Sequence, residues 1–272
     1  MTPGPRRAAA VLLLLAVPGT AACGGGADGA DEPGATGGPT GGAGVEGEIL
    51  VAAAASLTDA FEDVADAFEA ENRGATVTFT FGPSSGLATQ IVEGAPADVA
   101  AFASEVTMTT VEEAGAVAGR PRVFATNDLV VVTAPGNPGG ITGVADLPDA
   151  GIVALCGEDV PCGTLAAEVL DAAGVEIPET SVTRGEDVRA TLAAVAQGDA
   201  VAGIVYRTDA AAAGDTVATV AIPAGINAVA EYPVAALTGS GNPEAAAAFV
   251  DFVLSPPGLD ILAEYGFGPP PT

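Results

Sequence analysis

The sequence predicts an α/β fold built on mainly parallel sheet. Short apolar runs rich in Val, Ile, Phe and Ala alternate along it with segments whose apolar residues recur at helical spacing. Gly, Pro, Ser and Asp mark the joints between them. A hydrophobic share of 49% argues against global disorder, and no internal repeat divides the chain.

The elements follow in order. Residues 48–54, EILVAAA, read as a buried strand, and 56–71 as an amphipathic helix. Leu57, Phe61, Val64, Ala65 and Phe68 fall on one face of that helix and acids on the other. Residues 76–81, TVTFTF, alternate like a strand. A helix over 84–93, a strand over 98–102 and a helix over 104–114 come next. Strands are expected at 129–133 and 152–155, then a helix from about 163 to 173. A helix over 187–197 and strands over 201–206, 217–222 and 230–237 follow, with helices over 243–254 and 258–264 closing the chain.

Charge and residue types exclude much chemistry. The 272 residues carry 8 basic and 35 acidic side chains, a net charge of −27, and every basic residue is Arg. Without His or Lys there is no base for a Ser or Cys triad, no His-based zinc site, no Schiff-base lysine and no Walker-A lysine. So acidic a chain repels phosphate backbones, which disfavours nucleic acid as a partner. A glycosidase-type carboxylate pair is disfavoured too, since aromatics are only 4% and line no Asp/Glu pair. A structural or adhesive surface protein without a closing cleft is a third class.

The N-terminus reads as an address. Arg6 and Arg7 precede an apolar run at 8–17, AAAVLLLLAV, too short to span a bilayer and suited to a signal peptide over 1–22. Ala21 and Ala22 directly before Cys23 resemble a bacterial lipobox, in which that Cys is lipidated; Thr20 departs from the preferred Leu. Cleavage there removes two Arg and no acid, taking the net charge from −27 to −29. Residues 23–47 then form a Gly-rich tether with an r.m.s. span of ~25–30 Å. The chain is thus expected to be exported and anchored to the outer face of the cell membrane through lipid.

In α/β folds ligands sit beyond the carboxyl ends of strands, where helices begin. Five such joints stand out. Ser56 with Asp59 has the spacing of a helix cap. Ser84 opens a helix after Gly82 and Pro83, where a cap is again the competing reading. The loop 156–163, CGEDVPCG, and the stretch 184–189, RGEDVR, present helix starts with free backbone N–H groups. Tyr206 ends a strand.

Taken in order, AAAASLTDAF, FGPSSGLATQIVEGAPADV, VPCGTLA, GEDVRATLAAV, GIVYRTDA, EYPVAAL and the closing YGF resemble the bacterial periplasmic molybdate-binding proteins, the solute-binding components of molybdate ABC transporters. The resemblance spans 48–268. It implies a two-lobed periplasmic-binding-protein fold of type II-like form, with a hinge and a central cleft. Lobe 1 would comprise 48–126 and 232–268, and lobe 2 would comprise 127–231, with chain crossings near 125–127 and 231–233. It also implies a tetrahedral oxyanion, molybdate or tungstate, held by the hydroxyls of Ser56, Ser84 and Tyr206 and by backbone amides at Cys162 and Val188. Cys162 stands where the family has Ala, and Pro83 where a Ser is common. The molybdenum would be reached only through its oxygens, with no direct metal coordination and no cofactor. A permease of an ABC importer is the implied partner, and a monomer the implied state.

An all-donor site suits a fully ionised anion such as molybdate, tungstate or sulfate, whereas phosphate at neutral pH keeps a proton that needs an acceptor. Glu158 and Asp159 are expected to face solvent. Cys156 and Cys162 close a short loop in an exported chain, which favours a disulfide over two free thiols.

Overall fold

The computed structural model describes residues 44–271. The signal segment, Cys23 and nearly all of the tether lie outside the described residues. Strand β1 (Glu46–Ala54) pairs in parallel with β2 (Gly74–Gly82) on one side and β3 (Val99–Ala101) on the other. Helix α1 (Thr58–Glu71) links β1 to β2, and α2 (Ser84–Val92) links β2 to β3. Alternation along the strands decides what packs where. Ile49, Val51 and Ala53 join Phe61 and Phe68 of α1 and Phe249 of α7 (Pro243–Val253) in the larger core. Ala52 and Ala100 point the other way, to Leu87 and Ile91 of α2 and Met108 of α3 (Glu105–Glu113). With both faces covered, β1 reads as an unbroken apolar run. Phe249 meets Phe68 edge-on at 5.3 Å, and Phe61 lies 5.7 Å from Phe124.

One long strand reorganises the sheet. β4 (Val117–Thr133) runs antiparallel to β9 (Val229–Leu237) over Val117–Asp128. From Leu129 to Thr133 it pairs instead with β7 (Ala202–Tyr206), and from Val130 to Thr133 with β8 (Ala218–Ala221), both antiparallel. β5 (Val153–Cys156) lies in parallel between β7 and β6 (Val182–Gly185). The hydrogen-bonded order is β2-β1-β3-β9-β4-β7-β5-β6, with β8 also on β4. Helices α4 (Pro161–Ala173), α5 (Val188–Ala196), α6 (Arg207–Ala213) and α8 (Pro256–Glu264) complete the described body.

The expectation of mainly parallel sheet needs correcting. Every pairing that involves β4 or β9 is antiparallel. These two strands run against their neighbours at the middle of the order, and crossover units flank them on both sides. Residues 117–128 show no strand signal in the sequence because Gly119, Arg120 and Pro121 interrupt it. The structure absorbs them as register shifts, with Gly119 at φ 86°. β6 and α6 also escaped the reading: β6 is a four-residue strand without alternation, and α6 follows Tyr206 with no turn residue between them.

Candidate functional site

Parallel pairing brings the strand ends together. Ala54 at the end of β1 lies opposite Gly82 at the end of β2, and Cys156 at the end of β5 opposite Gly185 at the end of β6. The five residues singled out in the sequence follow or occupy strand ends. Ser56, Ser84, Cys162, Val188 and Tyr206 all line one cavity. Asp187 is the one charged side chain on its wall among the described residues.

Its polarity comes from helix starts. Ser84 is the first residue of α2, Cys162 the second of α4 and Val188 the first of α5. First-turn amides have no carbonyl one turn back to bond, and they carry the positive end of the helix dipole. Local sequence fixes each start. Pro161 at the first position of α4 fits a site where no N–H is needed. Asp187 caps α5, its Oδ1 accepting the Ala190 N–H at 2.8 Å. That bond engages the carboxylate that stands nearest the cavity's amides.

The serines do not cap their helices, contrary to the competing reading. Leu57 is the N-cap of α1, after a 3-10 turn over Ala55–Leu57, and Asp59 pairs with Arg189 at 2.8 Å. The Ser56 hydroxyl instead meets the Tyr232 hydroxyl at 2.9 Å. Pro83 is the N-cap of α2, and Ser84 Oγ accepts the Ala103 N–H at 3.1 Å. With that lone pair engaged, the Ser84 proton is free to be donated.

Cys162 is disulfide-bonded to Cys156, as the short loop suggested, with Cα atoms 5.8 Å apart. Loop and helix start are pressed together: a Cβ added at Gly163 would lie 1.9 Å from the Gly157 carbonyl oxygen. Glu158 and Asp159 are exposed and do not line the cavity, and Glu158 pairs with Arg184 at 2.9 Å. Tyr206 is 1% exposed, yet its hydroxyl has no hydrogen-bond partner among the described residues. Burial holds its pKa well above that of a free phenol, so it stays a neutral donor.

Three neighbours escaped the sequence reading. Tyr232 and Asn127 lie behind Ser56, on β9 and β4, and nothing local marks either. Asp209 is buried on α6, with Oδ2 unpartnered among the described residues. Burial pushes its carboxyl up to about 7; Asp59 and Asp187 push the same way and Arg189 opposes them. Among the described residues no helix is long and apolar enough to cross a membrane.

A family model described as bacterial extracellular solute-binding protein matches residues 49–268. The chain belongs to this family. Within it, this solute-binding protein is 41% identical over 234 residues to the molybdate-binding protein ModA of Mycobacterium tuberculosis, covering 86% of this chain and 88% of the relative. That bears out the resemblance drawn from the motifs. In fold it matches the periplasmic molybdate-binding protein of Azotobacter vinelandii at a TM-score of 0.72 and 20% identity, covering 82% of this chain and 100% of that one. The sulfate-binding protein SubI of M. tuberculosis matches at a TM-score of 0.73 and 24% identity, covering 82% and 86%. The fold class expected of a periplasmic solute-binding protein is therefore shown.

Proposed function

We propose that this solute-binding protein captures molybdate, and tungstate with it, in the cavity and delivers the anion to the permease of an ABC importer. One observation carries the reading: the five residues named from the sequence line a single cavity. The buried, unpartnered Tyr206 hydroxyl fits the same role, because an orphan of this kind costs ~1–3 kcal/mol until something accepts its proton. The bound oxygens would be met by the hydroxyls of Ser56, Ser84 and Tyr206 and the amides of Cys162 and Val188, with no direct bond to the metal. With the backbone amides of Ser56 and Ser84 added, about seven donors to a charged ligand give a gross ~10–20 kcal/mol before ordering and desolvation costs, enough for micromolar to nanomolar affinity. The family is one of binding proteins, and the mechanism is capture and release without chemistry.

The two-lobed division at 127 and 231 belongs to this reading. β4 exchanges β9 for β7 and β8 between Asp128 and Leu129, which supports a hinge within the shared strand. Lipid anchoring through Cys23 and a monomeric state complete the proposal. Calorimetry against molybdate, tungstate, sulfate and phosphate tests it. Tight binding of molybdate and tungstate is expected; binding confined to sulfate or phosphate would favour a second reading, a binding protein for another tetrahedral oxyanion, which the fold match to SubI motivates. Scattering with and without molybdate should show the particle contract as the lobes close.

A further inference from the structure

Behind Ser56 lies a buried chain of hydrogen bonds whose direction can be worked out atom by atom. Asn127 Oδ1 accepts the Asp128 N–H at 3.1 Å. Its Nδ2 therefore provides both protons, one to Thr208 Oγ1 at 2.8 Å and one to the Tyr232 hydroxyl at 3.4 Å. Turning the amide over would set Nδ2 against the Asp128 N–H, two donors face to face. Tyr232 thus accepts from Asn127; Ser56 Oγ at 2.9 Å is the one acceptor within hydrogen-bond distance of the phenol among the described residues, so a satisfied chain sends the Tyr232 proton there. Ser56, accepting there, keeps its own proton for the cavity that it lines.

We infer that Tyr232 and Asn127 are positioning residues that fix Ser56 as a donor to the bound oxyanion, so that its hydroxyl cannot serve as the acceptor a protonated anion needs. This rests on the oxyanion reading of the site. Tyr232 and Asn127 are both buried, and rings of Phe124, Phe267 and Tyr206 stand 5.4–6.2 Å from the Tyr232 ring. The phenol is held by its packing as well as by its bonds. Asn127 and Tyr232 come from β4 and β9, so the direction of a hydroxyl at the end of β1 is set by the two strands that change partners mid-sheet.

The test is a double-mutant cycle on molybdate affinity in the full chain, with Tyr232→Phe made in the Ser56 and Ser56→Ala backgrounds. Tyr232→Phe keeps the ring and removes the proton. It should weaken molybdate about 5- to 30-fold when Ser56 is present and hardly at all when Ala replaces it. The ratio of molybdate to inorganic phosphate affinity should also fall in Tyr232→Phe, because the freed Ser56 lone pair can accept the phosphate proton. Should Tyr232→Phe not fold, Asn127→Asp supplies the same comparison. Its added charge acts in both backgrounds, while reversal of the chain acts only through Ser56. An equal loss in both backgrounds, or no loss with Ser56 present, overturns the inference and leaves the site standing. Wild-type affinity in Ser56→Ala alone overturns the site reading itself, a separate and distinguishable outcome.

Discussion

Among single residues the Tyr206 hydroxyl makes the strongest demand, since it is buried and has no partner among the described residues. Tyr206→Phe, Ser56→Ala and Ser84→Ala should each weaken molybdate binding by ~1–3 kcal/mol, because each leaves the anion short of one donor. Titration of the three variants checks this, and the phenylalanine variant should keep its fold. Asp209 makes a different demand. Its folded pKa, about 7, lies above the 3.8 of a free Asp. Between those values the folded state binds more protons than the unfolded one, so this group's contribution to stability falls as pH rises. Urea unfolding of wild type and Asp209→Asn from about pH 4 to pH 8 should show the difference move steadily in the variant's favour. A pH-independent difference would mean that burial does not hold the proton on Asp209.

At the scale of elements the 156–162 loop and the start of α4 act as one unit. The disulfide closes a loop of six-residue separation, and the Gly163–Gly157 approach leaves no room for a side chain. Closing so short a loop is worth ~2–3 kcal/mol through the unfolded state. The double variant Cys156→Ser with Cys162→Ser should lose about that much in urea denaturation. It should also bind molybdate more weakly, because the Cys162 amide is then less firmly placed. Unchanged affinity would mean that Pro161 and the packing around Gly163 hold the amide unaided. The Asp59–Arg189 pair ties α1 to α5, but both side chains are about half exposed, so it contributes ~1 kcal/mol or less.

For the whole molecule the question is how an anion approaches a chain of net charge −27. No Arg lines the cavity among the described residues; attraction there is local, from helix starts. At ~0.15 M salt the Debye length is ~8 Å, which screens distant acids, and at low salt they repel the ligand. The association rate for molybdate should therefore rise as inert chloride salt is brought from low to physiological strength. Dissociation of the enclosed anion should change less. Tyrosine fluorescence or competition can follow both rates, as the chain has no Trp. An association rate that falls with salt would reveal a positive field at the cavity mouth.

What the sequence determined by itself is local. Strand and helix identities follow from apolar period. Five candidate joints follow from hydroxyls and helix starts placed after strands, the proposed donors at them follow from the motif resemblance, and the Cys156–Cys162 pair follows from its spacing. What only the tertiary structure decided is non-local. Ser56 reads as a cap until Tyr232, 176 residues away, is seen to take its hydroxyl. The strand over 117–128 has no pattern of its own and exists because β9 pairs with it. Asp209 reads as one surface acid among many until α6 is found to bury it. The physical reason is the same each time: propensity and periodicity are written in neighbouring residues, whereas a hydrogen-bond direction, a strand partner or a burial cost belongs to groups that meet only once the chain has folded.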